Sequence, residues 1–335
     1  MNKKHKTIPV FVPHLGCPQD CLFCNQKKIT GELQQVTAER VQELIQIAAK
    51  HKQERETLEI GFFGGSFTGI SPAVQEALLK PALEAKKQGI LDGIRLSTRP
   101  DYINQEVIDR LLRFGVTTVE LGAQSMDDEV LKRANRGHEA VQTVEAARMI
   151  KANGLGLGLQ MMIGLPGDTL KKTLQTAEAF CEMEPACVRM YPTLVIKETA
   201  LAELWKANKY QPLSLDDAVD WCKQLYQIFT AKQIDVIRMG LLNMKPEDVL
   251  AGPYHPSFGE LVLSAACYDE LKKAVTGYPS KFLRLQMHPS YVSVLCGHRK
   301  KNIMKLKEEF GFEDIKIIHA ESMRRGSFKV LTPIR

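Results

Sequence analysis

Three cysteines lie within eight residues near the start of the chain, in the segment Cys17-Pro-Gln-Asp-Cys21-Leu-Phe-Cys24. Thiolates at positions i, i+4 and i+7 of a tight loop can converge on one metal centre, because sulfur is a preferred ligand of zinc and of iron–sulfur clusters. A closed four-thiolate site needs a fourth nearby cysteine, and the sequence has none there. One coordination position is therefore open to a ligand from outside the protein. Two alternatives stay open: three core cysteines, or a Cys21/Cys24 redox pair.

Polar or glycine-rich turns follow several apolar segments that we expect to be strands. These turns are Gly64-Gly65-Ser66, Ser97-Thr98-Arg99, Gln124-Ser125 and Tyr191-Pro192-Thr193. In proteins built from parallel strands, functional groups gather where the carboxyl ends of the strands meet. The sequence therefore predicts a site at that end of a sheet.

Short apolar segments alternate with amphipathic helical patterns along the first part of the chain, which predicts repeated β/α units. The predicted strands are residues 8–12, 58–63, 93–96, 117–121, 155–163 and 187–191. Strands that alternate with helices form a parallel sheet with right-handed crossovers. Six units are fewer than a closed eight-stranded barrel requires. We therefore predict an α/β fold with a partial (β/α)6 TIM-like barrel, with a doubly wound sheet as the alternative.

The pattern changes near Lys245-Pro246, which predicts a barrel domain over residues 1–245 and a small α+β C-terminal domain over residues 246–335. Within the second domain, helical patterns cover about 259–274 and 299–310, and alternating segments cover 282–287 and 291–295.

Charge is unevenly distributed along the chain. From Lys272 to Arg335 the sequence has 14 Lys and Arg residues against five Asp and Glu residues, whereas the whole chain carries +6. A basic end on an otherwise acidic body favours a polyanion such as a nucleic acid as partner. The alternative is a hydrated surface that keeps the protein in solution.

The composition excludes other classes of protein. With 44% hydrophobic and 25% charged residues the chain has enough apolar side chains for a core, and no stretch is apolar enough to span a membrane. The basic start is not followed by an apolar segment, so we expect no secretory signal. The eight cysteines are crowded or scattered rather than spaced as a disulfide framework. We therefore expect a reduced, cytoplasmic protein that does not enter a membrane.

The cysteine segment after the first strand of a partial barrel resembles the radical S-adenosylmethionine (SAM) superfamily. There, three cysteines hold a [4Fe-4S] cluster, and SAM binds the fourth iron. Later segments resemble the Elongator catalytic-subunit family in their order and near its spacing, over about residues 8–240. They are Gly61–Thr68, Ser97–Asp101, Glu120–Ser125, Asn135–His138 and Met190–Lys197.

The resemblance implies which residues bind the two cofactors. Cys17, Cys21 and Cys24 are the implied ligands of the cluster. The implied SAM-binding residues are Gly64, Gly65, Ser66, Ser97, Arg99, Asp101 and Gln124, and the catalytic candidates are Tyr191, Arg136 and Gln124. Glycine lets backbone approach a ligand closely, and an arginine fork matches a carboxylate. His138 is an acid/base candidate or a packed loop histidine, and Gly164-Leu-Pro-Gly167 is a candidate border of the adenine pocket.

Enzymes of the Elongator family join a radical SAM domain to an acetyltransferase-like domain and modify wobble uridines of tRNA at carbon 5. Here only residues 241–335 follow the matched region, and they lack a glycine-rich acyl-CoA loop. We therefore expect a radical SAM domain without the acetyltransferase domain.

The resemblance thus predicts an enzyme that reductively cleaves SAM to a 5′-deoxyadenosyl radical for tRNA modification. It implies tRNA and an external one-electron reductant as partners and leaves a partner protein open. Two alternatives remain: a radical SAM enzyme for a small molecule, similar to coproporphyrinogen dehydrogenase, and a non-catalytic RNA-binding protein with a structural cluster.

Overall fold

The computed structural model describes residues 4–12, 17, 21–25, 36–53, 56–241 and 244–332. The chain divides into two compact units, which are Met1–Ser214 with Ile228–Tyr254, and Leu215–Gln227 with His255–Arg335. In this division the last boundary falls after Tyr254 and residues 215–227 belong to the second unit, whereas the sequence predicts one boundary at 245. Within the second unit, Lys223 forms an ion pair of 3.1 Å with Asp269. A single domain boundary at 245 would assign these two residues to different domains.

A parallel seven-stranded sheet forms the centre of the first unit. Its strands, in sheet order, are β1 (Lys4–Phe11), β2 (Glu56–Phe63), β3 (Gly93–Thr98), β4 (Thr118–Gln124), β5 (Gly156–Ile163), β6 (Cys187–Pro192) and β8 (Asp235–Met239). The order in the sheet follows the order along the chain, without the reversal that a doubly wound sheet requires. The predicted open barrel is confirmed. The count of six strands was too low, because β8 adds a seventh.

Helices follow the strands of the first unit. They are α1 (Ala38–Lys50), α2 (Pro72–Lys87), α3 (Gln105–Arg113), α4 (Asp128–Arg133), α5 (Ala140–Ala152), α6 (Leu170–Glu182) and α7 (Ala200–Lys206), while α8 (Leu215–Ala231) contributes residues to both units. A short antiparallel ribbon joins β7 (Val195–Ile196) to β9 (Val249–Ala251). The side chain of Thr37 accepts a hydrogen bond from the backbone of Arg40, as expected of an N-cap.

The two faces of the large sheet differ in chemistry. Alternate residues such as Phe62, Leu96 and Leu121 are fully buried and form the apolar core. The residues between them point the other way because side chains alternate along a strand. That second face carries charged residues such as Glu59 and Glu120. The polar face is where the candidate site lies.

In its described residues, the second unit contains three strands and three further α-helices. They are α9 (Phe258–Val275), β10 (Phe282–Met287), α10 (Val292–Cys296), α11 (Lys301–Phe310), β11 (Asp314–His319) and β12 (Phe328–Val330). The strands form one sheet in the order β11–β10–β12. The segment at 291–295, predicted to alternate, is mostly the helix α10. Its consecutive residues Val294 and Leu295 are both buried, which a strand with one buried face does not allow.

None of the helices in the described part of the chain is long and apolar enough to cross a membrane. No disulfide joins any of the eight cysteines, all of which are among the described residues. Cys187, Cys222 and Cys267 are buried, and burial raises the pKa of each thiol. These three are therefore neutral side chains of the core.

Candidate functional site

The cysteine segment follows β1 and is bound to two later parts of the first unit through its backbone. The backbone N–H of Leu22 donates to the Ala134 carbonyl at 3.1 Å, and the Leu22 carbonyl accepts from Leu201 at 2.8 Å. Phe23 packs against a buried cluster that includes Val130 and Ala134. These contacts hold the segment beside the loop that follows β4.

The three thiols are not gathered at one point. Among the residues that the structure describes, no three His, Cys, Asp or Glu side chains are placed so that they could hold one metal ion. Residues 18–20, between the first two cysteines, lie outside the described residues. Cys21 is buried, and Cys17 and Cys24 are half-buried. Burial raises the pKa of the Cys17 thiol, and the positive charge of Arg136 opposes the rise.

Arg136 brings a positive charge to the cysteine segment. Its Nη1 donates to the sulfur of Cys21 at 3.4 Å, and its Nη2 donates to the Gly122 carbonyl at 2.6 Å. Its Nε is buried and has no hydrogen-bond partner among the described residues. A Cβ at Gly122 would lie 3.0 Å from Nη2, so a larger residue there would displace the guanidinium. Arg136 can therefore stabilise a thiolate or an anion at this place.

Gln124 ends β4 in a backbone conformation that is uncommon for a residue other than glycine. Its φ is +70°, and the pairing with β5 shifts register between Leu121 and Gln124. Its side-chain Oε1 is buried and accepts no hydrogen bond from any described residue. A buried acceptor without a donor is costly to the fold, so Gln124 is suited to accept from a bound molecule.

His138 lies two residues beyond Arg136, between α4 and α5, and is buried beside the backbone of Ala123. Burial, with the charge of Arg136 adding to it, lowers the pKa of His138 to about 3. The imidazole is therefore neutral at physiological pH. Of its two predicted roles, the geometry favours the packed loop histidine over the acid/base group, which needs a pKa near the operating pH.

Arg99 and Asp101 form a buried, bidentate ion pair after β3. Nε of Arg99 donates to Oδ1 of Asp101 at 2.9 Å, and Nη2 donates to Oδ2 at 2.8 Å. The remaining Nη1 is buried and has no hydrogen-bond partner within the described residues. The guanidinium lies 5.8 Å from the centre of the Tyr102 ring. Arg99 can therefore offer one nitrogen, Nη1, to a further carboxylate, because Asp101 already occupies the fork of Nε and Nη2.

Three hydroxyl groups join the turn after β2 to the end of β3. The fully buried Ser66 Oγ lies 2.8 Å from Thr98 Oγ1, which lies 2.6 Å from Thr68 Oγ1. Ser66 Oγ also accepts from the backbone N–H of Arg99 at 3.2 Å. The hydroxyl of Ser66 is thus used within the protein, where it positions Arg99.

Three more predicted cofactor-binding residues belong to the same region: Gly64 and Gly65 in the turn after β2, and Ser97 near the end of β3. Gly64 and Gly65 have φ values of +83° and +58°, a region that glycine enters without steric cost. Ser97 is buried on β3 and pairs in register with Glu120 of β4.

Glu120 is the centre of a buried charge network on the polar face of the sheet. It accepts hydrogen bonds from Arg95 at 2.7 Å, from Arg189 at 2.6 and 2.9 Å, and from Gln160 at 2.8 Å. Arg95 also donates to Glu59 at 2.8 Å. Burial raises the pKa of Glu120, but the two arginines outweigh it and hold that pKa below its ordinary value. The carboxylate is therefore ionised and structural.

Tyr191 lies two residues beyond Arg189 on β6, so both side chains point to the same face of the sheet. Burial raises the pKa of Tyr191, and the neighbouring Arg189 opposes the rise. Tyr191 is therefore a neutral phenol that can donate a hydrogen bond.

The turn after β5 borders a cavity of about 510 Å³. Gly164 and Gly167 both have left-handed backbone, and Tyr210 closes one side by donating to the Gly164 carbonyl at 2.6 Å. Asp168 fixes the turn by accepting from the backbone of Gly164 at 2.9 Å and from Thr173 at 2.8 Å. The cavity lies where the sequence suggested a pocket for adenine.

The structure gathers the predicted residues into two groups. Cys21, Arg136 and Gln124 meet at the end of β4, whereas Ser66, Arg99 and Asp101 meet at the ends of β2 and β3.

Two supporting residues, Thr98 and Gly122, belong to the quoted sequence segments, but the sequence assigned neither of them a role. Gly122 falls between Glu120 and Gln124 in a period of two, and this alternation could have identified it. Nothing in the spacing indicates Thr98, because its partners come from another strand end.

Two family models match the chain. One, described as the radical SAM superfamily, matches residues 11–180, and the other, described as the Radical_SAM C-terminal domain, matches residues 185–266. The chain is also similar to the structure of archaeal Methanocaldococcus infernus Elp3 with an N-terminal deletion. That likeness has a TM-score of 0.62 at 23% identity and covers 82% of this chain and 64% of that one.

Two curated relatives carry names that bear on function. A tRNA uridine(34) acetyltransferase from Methanocaldococcus infernus is 29% identical over 185 residues, which are 49% of this chain and 35% of the relative. Elongator complex protein 3 from Homo sapiens is 35% identical over 131 residues, which are 38% of this chain and 24% of the relative. In both cases the match spans well under half of the relative. The resemblance to the Elongator family is confirmed.

Proposed function

The chain belongs to the radical SAM superfamily, and from that premise we propose that it modifies the wobble uridine of tRNA at carbon 5. It is an enzyme that uses the two cofactors of this superfamily, a [4Fe-4S] cluster and SAM. Support for tRNA as substrate comes from the relatives named tRNA uridine(34) acetyltransferase. Support also comes from the basic C-terminal segment, since tRNA is a polyanion.

Cys17, Cys21 and Cys24 are the proposed ligands of the cluster. Their thiols have the right chemistry, because thiolates are the protein ligands of [4Fe-4S] clusters. Arg136, whose Nη1 lies 3.4 Å from the Cys21 sulfur, places a positive charge beside these proposed ligands. When bound, the cluster supplies one electron from an external reductant to cleave SAM into methionine and a 5′-deoxyadenosyl radical.

The buried polar atoms without partners suit SAM. Arg99 offers its free Nη1 to the carboxylate of SAM, while Asp101 holds the rest of the guanidinium in place. Gln124 offers Oε1 to a hydroxyl or an amino group of SAM. In our proposal the backbone of Gly64 and Gly65 approaches the methionyl end, with Ser66 and Ser97 holding the strand ends around it.

Arg136 and Tyr191 are the proposed residues on the substrate side. The unpaired Nε of Arg136 can donate to an anionic oxygen. Tyr191, kept neutral by burial, can donate its phenolic proton in a hydrogen bond to a carbonyl oxygen such as those of uracil. Gln124 lies at the same strand end as Arg136 and can hold the substrate as well as SAM.

One observation carries the proposal. Buried groups that lack partners among the described residues, Arg99 Nη1, Gln124 Oε1 and Arg136 Nε, cluster at neighbouring strand ends. Buried polar groups in a stable fold are almost always satisfied, so three such groups mark a place where a bound molecule completes the hydrogen bonding.

Nucleoside mass spectrometry of tRNA tests this proposal. We compare tRNA from cells that carry the native protein, no protein, Cys21→Ala or Cys267→Ala. Deletion and Cys21→Ala should both abolish a modified uridine at position 34, whereas Cys267→Ala, a change at a buried core thiol, should preserve it. Anaerobically purified native and Cys267→Ala proteins should hold about four irons per chain, and Cys21→Ala none.

Two outcomes would contradict the proposal. Unchanged tRNA nucleosides in a strain whose protein cleaves SAM would favour a small-molecule substrate, as in enzymes similar to coproporphyrinogen dehydrogenase. Full iron content in Cys21→Ala would contradict the assignment of the cluster ligands.

A further inference from the structure

The second unit contains a basic loop with an unusual backbone. The loop is Gly297-His298-Arg299-Lys300, between α10 and α11. Gly297, Arg299 and Lys300 have left-handed φ values of +74°, +52° and +60°. Such values are uncommon for residues other than glycine, and they persist only where the surroundings hold them.

Buried contacts hold this loop in its shape. Nδ2 of the buried Asn302 lies 3.0 Å from the carbonyl and from the Oγ of Ser264, and 3.0 Å from the Leu295 carbonyl. A Cβ at Gly297 would lie 2.9 Å from Ser264 Oγ and 3.1 Å from Asn302, so no larger residue fits. The loop is therefore fixed against α9 and the end of α10 before any partner arrives, which lowers the entropic cost of binding.

The loop presents positive charge to solvent. Arg299 and Lys300 are exposed, and neither pairs with a carboxylate of a described residue. The next residue, Lys301, has a loose contact of 3.8 Å with the exposed Asp216. Lys305 is also exposed, one turn further along α11, with its ammonium 5.4 Å from the Tyr268 ring.

Some basic residues elsewhere in the second unit form ion pairs. Lys272 pairs with Glu309 at 2.8 Å, and Lys281 pairs with Glu313 at 3.0 Å. The loop between β11 and β12 resembles the basic loop in its charges. Its residues Arg324 and Arg325 are exposed and form no ion pair with a described residue. Each of these two loops therefore carries two adjacent exposed cations without an ion pair to a described residue. Single exposed cations of the same kind are Lys273, Lys316 and Lys329.

The order of elements around the basic loop points to one class of partner. It reads β10, α10, loop, α11, β11, with the two strands paired side by side. RNA-binding domains of the KH type place a Gly-X-X-Gly loop between two helices and use it to clamp the backbone of four nucleotides. Here Gly297 takes the first position, and Lys300 takes the fourth with the left-handed backbone that a glycine would adopt.

We propose that the Gly297–Lys300 loop binds the phosphate backbone of single-stranded RNA, with Arg324 and Arg325 adding charge from the loop between β11 and β12. This inference extends the proposed function, because it names the surface that binds the RNA substrate. Its chemistry does not depend on which group the enzyme installs. The fixed loop sets the path of the strand, and the unpaired cations neutralise its phosphates.

Binding of a labelled oligouridylate to the full chain, over a range of salt concentrations, tests the loop. The first variant is Arg299→Asn with Lys300→Asn, and the second is Arg299→Asp with Lys300→Asp. Asn and Asp tolerate left-handed backbone better than other non-glycine residues, so both variants should fold. The matched control is Lys80→Gln with Lys87→Gln, which removes two exposed charges from α2 in the first unit.

The asparagine variant should reduce the slope of log affinity against log salt by about 1.4 units, at roughly 0.7 for each phosphate of a single strand that the protein no longer neutralises. The aspartate variant should bind still more weakly, because it repels phosphate. The control should keep the native slope. A native slope in the asparagine variant would overturn the inference, as would equal binding of an RNA duplex by the native protein.

The two proposals can fail separately. If the loop variants bind RNA normally while Cys21→Ala still abolishes the tRNA modification, only the loop assignment fails. If the loop variants lose oligouridylate binding while tRNA nucleosides are the same with and without the protein, the loop stands and the wobble-uridine function fails.

Discussion

Two pairs of cations, one pair in each unit, lie in opposite surroundings. In the first unit, Arg95 and Arg189 are mostly buried, and both pair with Glu120 at less than 3 Å. In the second, Arg299 and Lys300 are exposed and have no carboxylate partner among the described residues. A buried charge without a partner costs several kcal/mol, whereas an exposed charge keeps its hydration. Paired cations therefore shape the barrel, and unpaired ones remain available for a polyanion.

The exceptions within the first unit identify its site. Arg99 and Arg136 are buried, yet each keeps one guanidinium nitrogen without a partner in the described structure. Such groups lower stability until a ligand satisfies them, and natural proteins accept that cost mainly where they bind something. Pairing thus separates the structural network around Glu120 from the strand ends, where we propose that SAM binds.

Removal of the central carboxylate should have the largest effect on stability. Glu120→Gln leaves the mostly buried Arg189 without a carboxylate partner and Arg95 with Glu59 alone, and we expect it to lower the free energy of unfolding by about 3–5 kcal/mol. Denaturation by urea under anaerobic conditions measures this change. The matched control is Glu129→Gln, which breaks a surface pair of 2.7 Å with Arg133 on α4.

The control should cost only about 0–0.5 kcal/mol, because exposed pairs along a helix are weak. Equal losses in Glu120→Gln and Glu129→Gln would contradict the contrast between buried and exposed charge.

A second test uses the pH dependence of stability. His138 has its pKa lowered to about 3 in the folded protein, against an ordinary value of about 6.5. Below pH 6.5 the unfolded chain binds a proton that the folded protein does not bind, so stability falls as the pH falls. Between pH 7 and pH 5 this residue alone should cost roughly 2 kcal/mol. Unfolding measured at both pH values should show that His138→Gln lacks this loss.

The control for the histidine is His51→Gln at an exposed position, which should keep the pH dependence of the native protein. An unchanged pH dependence in His138→Gln would mean that the imidazole is hydrated in solution, contrary to the structure.

Much of the fold could be predicted because buried parallel strands have continuous apolar sequences. The strand at 282–287 was predicted with its observed bounds, and β2 and β5 were predicted to within two residues. The helix α10 was missed because five residues are too few to show a helical period. β8 was not among the predicted strands, because it follows a helical stretch without another β/α unit, and only its pairing with β6 adds it to the sheet.

The sequence names candidate site residues, but it does not predict their contacts. A motif can name Ser66 and Arg99, yet the hydrogen bond of 3.2 Å that makes Ser66 a support for Arg99 depends on how β2 and β3 pair. The same holds for Arg189, which reaches Glu120 across the sheet at 2.6 Å from 69 positions along the chain. Spacing shows which residues belong to a turn, whereas long-range pairing decides which groups remain unsatisfied.

The last and smallest effect concerns charge on the second unit. Arg324→Gln with Arg325→Gln removes two unpaired cations, and it should lower the salt slope of oligouridylate binding by at most about 1.4 units, at roughly 0.7 per phosphate. Lys272→Gln with Lys281→Gln removes the same net charge from cations that pair with Glu309 and Glu313. Because those lysines release no counterions on binding RNA, that variant should keep the native slope. If both double variants reduce the slope equally, pairing does not determine which cations meet the RNA, and the contrast between the two kinds of charge fails in the second unit.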